Sequence, residues 1–109
     1  MPVILEIHVA PVGKEGASMG DTVVEMVKIA EAEGINYQVG PMGTSMEGDL
    51  DTLLRVARRM HETCFRMGYP RVITSIRIDD RRDKDLTMGY KVESVKRKLA
   101  EQATHIRAS

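Results

Sequence analysis

Apolar and polar residues alternate one by one from Val3 to Ala10, with Val3, Leu5, Ile7 and Val9 on one side and Ile4, Glu6, His8 and Ala10 on the other. A period of two over this length predicts a half-buried strand. Pro11, Gly13 and Gly16 then break the run. Ser18, followed three residues later by Asp21, is a variant of the capping box with Asp in place of Glu, and it predicts a helix reaching about Glu33. Val23, Met26, Val27 and Ala30 recur at helical spacing, and Gly34 stands where a left-handed cap ends a helix. Ile35 to Val39 reads as a second strand, and Gly40 to Glu47 holds a tight turn and a third. Asp49 suits the N-cap of the longest helix, whose stripe is Leu50, Leu53, Leu54, Ala57, Met60, Cys64 and Phe65. Arg55, Arg58, Arg59, Glu62 and Arg66 keep its other face solvated, and Gly68 and Pro70 end it. Arg71 to Asp79 forms a further strand, with Val72, Thr74, Ile76 and Ile78 on one face and Arg71, Ile73, Ser75, Arg77 and Asp79 on the other. Val92, Val95 and Leu99 give a narrow stripe to a C-terminal helix, and Thr104 to Ser109 is expected to fray.

The order β α β β α β α matches an α+β, ferredoxin-like βαββαβ sandwich with an additional C-terminal helix. At 109 residues the chain is a single domain, residues 1–109. In this topology the two long helices cover one face of an antiparallel sheet and the first and last strands are neighbours. Glu6, His8, Ser75 and Arg77 then share the helix-free face. Ile4, Ile73 and Tyr37 or its neighbours would add apolar area there, which suggests a homotypic interface and therefore an oligomer.

Charge narrows the possible partners. Sixteen basic and sixteen acidic residues cancel, which argues against attachment to nucleic acid or membrane by net charge. One Phe and three Tyr, with no aromatic run on the strands, leave an RNA-binding sheet without its stacking platform. The apolar N-terminus carries Glu6 and His8 and is too short to span a bilayer, so a cytoplasmic protein is expected. The single Cys64 lies on the helical stripe and reads as a small core residue.

Candidate chemistry concentrates in GPMGTSMEGD, Gly40 to Asp49, where glycines, hydroxyls and a carboxylate sit between a strand and a long helix. Glycines there permit positive φ or close approach of a ligand to the backbone. Gly43 and Thr44 read equally as ligand contacts or as an ordinary turn. Glu47 reads as a ligand carboxylate or as a charge favoured by the following helix dipole. Glu6 pairs with Arg77 across strands or serves a ligand. Ser18 is first a helix cap, although the free amides of that helix start suit an anion. His8 and Glu6 share a strand face, which leaves an acid–base pair of His8 with Glu6 or Asp79 open as an alternative. His8 and His61 are too scattered for a metal site, and Asp79, Asp80 and Asp83 lack the glycine and terminal Glu of a calcium loop. DDRRDKD, Asp79 to Asp85, reads as an internally neutralised loop.

Three ordered motifs, PMGTSMEGD, RVITSIRIDDRRDK and KVESVK, resemble the small thiamine-binding protein family, over Val3 to Leu99. That family is related to the YkoF-type proteins that bind thiamine or its hydroxymethylpyrimidine moiety. The resemblance implies a ferredoxin-like fold, sheet-to-sheet dimers paired into a tetramer, and a pyrimidine ligand that is held and not turned over. It carries onto Gly43, Thr44 and Glu47, and onto Asp79, Asp80, Arg81, Arg82 and Asp83. No metal or further cofactor is implied. Thiamine offers an aminopyrimidine and a cationic thiazolium, for which Thr44, Glu47, Glu6 and Tyr37 would supply partners. Tyr37 suits either stacking on the pyrimidine or anchoring an interface. His8 is outside the family pattern and rests on its chemistry alone. The alternative is a small regulatory or structural oligomer that binds another small ligand.

Overall fold

The computed structural model describes residues 2–13, 19–84 and 87–108, with the side chains of the last helix described as far as residue 103. The elements are β1 (Val3–Val12), α1 (Met19–Ala32), β2 (Asn36–Val39), β3 (Thr44–Gly48), α2 (Leu50–Arg66), β4 (Arg71–Asp79) and α3 (Met88–Ala108). The strands form one antiparallel sheet in the order β2-β3-β1-β4, the ferredoxin-like arrangement with β1 and β4 side by side. Ser18, read as the cap of the first helix, lies outside the described residues.

The core is the layer between one sheet face and helices α1 and α2. β1 supplies Val3, Leu5, Ile7 and Val9, β3 supplies Met46, and the helices supply Met26, Ala30, Leu53, Val56, Ala57, Met60 and Cys64, all buried. Burial holds the Cys64 thiol above its ordinary value, as expected of a packed rather than reactive cysteine. β1 continues through Pro11 to Val12, two residues past the predicted end. Pro11 is tolerated because β3 pairs with β1 only as far as Ile7, so beyond that point β1 is paired on its β4 side alone.

Turns and caps follow local chemistry. Gly34 adopts φ 68°, with its amide bonded to the Glu31 carbonyl and that of Ile35 to the Ala30 carbonyl, closing α1 in the left-handed conformation its position predicts. Asp49 caps α2 by accepting from the Thr52 amide at 3.0 Å. Glu33, just beyond α1, accepts from Arg55 at 2.8 Å and from Arg59, tying the end of α1 to α2. These guanidiniums, Arg55 foremost, hold the Glu33 carboxyl below its ordinary value of 4.5.

The stripe of α2 is rotated from its predicted line. Val56 is fully buried, while Leu54 and Phe65 are 42% and 46% exposed. The inward face centres on Leu53, Val56, Ala57, Met60 and Cys64, and Phe65 turns outward to pack in a T-shaped contact with the His61 ring, centroids 5.5 Å apart. His61 also bonds Thr74 Oγ1 through Nδ1 at 2.6 Å, which fixes it as a packing residue.

The second sheet face, predicted to be free of helix, is covered at one end. The start of α3 lies over one end of it, with Met88 buried. Beyond that first turn α3 projects from the body, giving overall extents of 59 × 32 × 20 Å. Its stripe is uncovered: Val95 and Leu99 are 58% and 61% exposed. Helix continues to Ala108, past the Thr104 at which fraying was expected.

Two outcomes check this packing. In urea unfolding, Leu53→Ala is expected to cost about 2–5 kcal/mol, whereas Leu54→Ala costs less than about 1 kcal/mol; equal losses would contradict the rotated stripe. Because the Glu33 carboxyl is depressed in the folded chain, its contribution is present above pH 4.5 and is lost as pH falls through the folded value. Glu33→Gln is therefore expected to flatten the fall of stability below pH 4.5, and an unchanged acid limb would contradict the assignment.

Candidate functional site

Side chains on directly opposed residues of an antiparallel sheet share a face. The register therefore aligns two rows across all four strands on the side away from α1 and α2. One row is Asn36, Glu47, Ile4 and Asp79, and the next is Gln38, Ser45, Glu6 and Arg77.

The first row is roofed by α3. Glu47 Oε2 accepts from the Met88 amide at 2.9 Å, and its Oε1 accepts from the Asn36 side-chain amide. At the other end of the row, the Lys91 ammonium donates to Asp79. The start of α3 is thus fastened on both sides of Ile4. Thr87 Oγ1 completes the cap by accepting from the Tyr90 amide at 3.1 Å, so Glu47 and Thr87 satisfy two amides that the helix leaves without intrahelical partners. A carboxylate at this end also meets the positive pole of the helix dipole.

The second row is not roofed. Gln38, Ser45, Glu6 and Arg77 border a groove of about 300 Å³, together with Ile4, Ile78, Asp79, Met88, Lys91 and Val92. Amide, hydroxyl, carboxylate and guanidinium stand in sequence beside an apolar wall, which is the composition of a small-molecule site. The Arg77 guanidinium lies 3.9 Å from Glu6 Oε1, beyond hydrogen-bonding distance, and its side chain is 87% exposed. Glu6 thus meets Arg77 across the strands as predicted, yet the contact leaves both groups able to engage a ligand.

The expected site residues fall in three places. Glu6 lines the groove, and Glu47 stands under its roof, at the start of α3 and not of α2. His8, opposite Ser75, is exposed on the same sheet face one row beyond Glu6 and Arg77, and is not in the groove lining. Thr44 and Tyr37 face the other way. Thr44 opposes the buried Ile7 and is itself 3% exposed, while Tyr37 opposes buried Met46 and donates its hydroxyl to Glu31 at 2.6 Å. That bond holds the Tyr37 phenol above its ordinary value of 10.0. The one-residue alternation of a strand decides both cases, since Ser45 and Gln38, next in sequence, take the groove face.

Gly43 has a different role from the one its turn suggested. Its φ is not positive; a Cβ there would come within 3.2 Å of the Ile7 carbonyl and 3.1 Å of Glu6 Cγ. Gly43 therefore lets the hairpin close against β1 and seats the Glu6 side chain. The loop after β4 is self-paired as predicted: Arg81 binds Asp83 at 2.5 and 2.9 Å, and Arg82 binds Asp80 at 2.9 Å. Arg81 holds the Asp83 carboxyl down at about 2. Among the described residues, no group of three or more His, Cys, Asp and Glu side chains is placed to hold a metal, and no helix is long and apolar enough to cross a membrane.

The chain belongs to the thiamine-binding protein family, which matches residues 5–96. It is 45% identical over 100 residues to the UPF0045 protein YqgV of Bacillus subtilis, covering 88% of this chain and 96% of that one. A UPF0045 protein of Staphylococcus xylosus is 44% identical over 88% of this chain and 94% of its own length. The crystal structure of a hypothetical protein from Methanocaldococcus jannaschii superposes with a TM-score of 0.79 at 32% identity, covering 87% of this chain and 96% of that one. A Thermotoga maritima protein assigned provisionally to thiamine biosynthesis or salvage shares the fold, with a TM-score of 0.73 at 20% identity over 87% of this chain and 99% of that one.

Glu47 is the joint between sheet and roof. Glu47→Ala is expected to raise amide hydrogen exchange of the first α3 turn, at Met88 and Tyr90, by about tenfold or more while β1 amides stay protected. Unchanged protection of that turn would contradict the fastening.

Proposed function

We propose that this member of the thiamine-binding protein family holds thiamine, or its hydroxymethylpyrimidine moiety, in the groove beside α3 and releases it unchanged, as a cytoplasmic homo-oligomer. The observation that carries this reading is the open row of Gln38, Ser45, Glu6 and Arg77 against the apolar wall of Ile4, Met88 and Val92. An aminopyrimidine presents ring nitrogens and an amino group in one plane. Amide, hydroxyl and carboxylate partners spaced by the sheet suit that edge, and the Glu6 carboxylate also favours a cationic ring. The sheet holds these groups in place before the ligand arrives, which lowers the cost of ordering them.

The groove lining supports binding over catalysis. Cys64 is packed in the core, and His8 and His61 lie outside the lining, so among the described residues no thiol or imidazole meets Ser45 or Glu6 there. An acid–base role for His8 would require it to reach across from the neighbouring row.

Oligomer formation is supported by apolar surface that the single chain leaves open. Ile73, on the face of edge strand β4 away from α1 and α2, and Val92, Val95 and Leu99 on α3 are all exposed. A second copy would cover them, and a dimer of dimers is the arrangement we favour.

Calorimetric titration tests the ligand. Thiamine or hydroxymethylpyrimidine is expected to bind the wild type, and Glu6→Gln combined with Ser45→Ala is expected to weaken binding by about tenfold or more without lowering the melting temperature. Full affinity in the double variant would place the ligand elsewhere. Native mass spectrometry tests the assembly: Val95→Glu with Leu99→Glu is expected to convert a tetramer into smaller species, and an unaltered tetramer would exclude the α3 stripe from the interface.

A further inference from the structure

We infer that the groove selects a phosphate monoester of its pyrimidine ligand, with Arg77 reading the phosphate; this inference rests on the proposed function above. The row across the sheet is polarised. Its β2 end offers Gln38, its middle Ser45 and Glu6, and its β4 end Arg77. At about 4.8 Å between strands it runs about 14 Å, longer than one pyrimidine ring needs. A pyrimidine bonded at the Ser45 and Glu6 positions leaves the β4 end to whatever the ligand carries beyond its ring.

The chemistry at that end favours an anion. Arg77 has five guanidinium donors in a planar fork. Among the described residues it approaches Glu6 at 3.9 Å, so its donors are not spent on a hydrogen bond there. A hydroxyl at the ligand's end would engage one of them, while a phosphate engages two at once in the bidentate geometry for which Arg is suited. Lys91, which also lines the groove, adds positive charge on the α3 side while it holds Asp79.

Glu6 stands close to the same position, and like charge would oppose a phosphate. Arg77 itself offsets that charge, and a cationic ring or amino group of the ligand bonded to Glu6 offsets it further. The four charged groups lining the groove, Glu6, Asp79, Arg77 and Lys91, balance. A ligand carrying a cationic ring and an anionic tail matches this pattern better than a cation alone.

Titration of the full-length protein with thiamine, thiamine monophosphate and inorganic phosphate separates the possibilities. Wild type is expected to bind the monophosphate about tenfold or more tightly than thiamine, with a difference that shrinks as salt rises. Arg77→Gln is expected to bring the two affinities within about threefold of each other, because the phosphate loses its fork. Equal affinities in the wild type would overturn the phosphate assignment and leave the thiamine reading standing. A preference that survives Arg77→Gln would overturn the role of Arg77. Inorganic phosphate binding as tightly as the monoester would show an anion site unconnected with the pyrimidine and overturn the inference. Failure of both thiamine compounds to bind would overturn this inference, and failure of hydroxymethylpyrimidine to bind as well would overturn the proposed function with it.

Discussion

The alternation of β1 is the constraint from which the rest of the structure follows. Leu5 and Ile7 are fully buried, with Val3 and Val9 nearly so, against both helices. A slip of one residue would drive Glu6 and His8 into that core, at a desolvation cost no neighbouring group could offset. β1 is also the strand on which both β3 and β4 are registered. Fixing its two faces therefore fixes which residues of β3 and β4 stand beside Glu6. The groove is a consequence of core burial on the opposite side of the same strand.

Long periodic elements were legible in the sequence, and so was their order. The Leu53 to Cys64 stripe, the Asp49 cap, Gly34 as a left-handed terminator and the β1–β4 neighbourhood all follow from local pattern plus topology. Short elements were harder to place. β3 is five residues long, and starting it loosely within Gly40 to Glu47 left its faces unassigned. Once the strand begins at Thr44, Thr44 and Met46 must face the core and Ser45 and Glu47 the groove. The same rule turns Tyr37 inward and Gln38 outward. Ser45 and Gln38 thus follow from the sequence once the strand boundary is given, and Arg77 reads there as a neighbour of Glu6 on the same face.

The roof was not legible by such means. Contact between Glu47 and Met88 joins residues 41 positions apart, and nothing in either segment's periodicity reports it. Glu47 looked like a charge before the next helix in sequence, whereas it caps the next but one in space. This joint also explains why α3 begins where it does and then leaves the body. Its first turn is held by Glu47, Thr87 and Asp79, and its later turns present an apolar stripe that this chain does not cover. The wall of the groove and the uncovered apolar stripe therefore belong to one element, α3.

The most direct measurement of the central claim is a map of backbone amide NMR shifts as thiamine is added to isotopically labelled protein. The account predicts that the largest changes fall on Gln38, Ser45, Glu6, Arg77 and the first turn of α3, with the α1 and α2 face unmoved. Changes centred on Tyr37, Thr44 and the helices, or no changes at saturating thiamine, would contradict it.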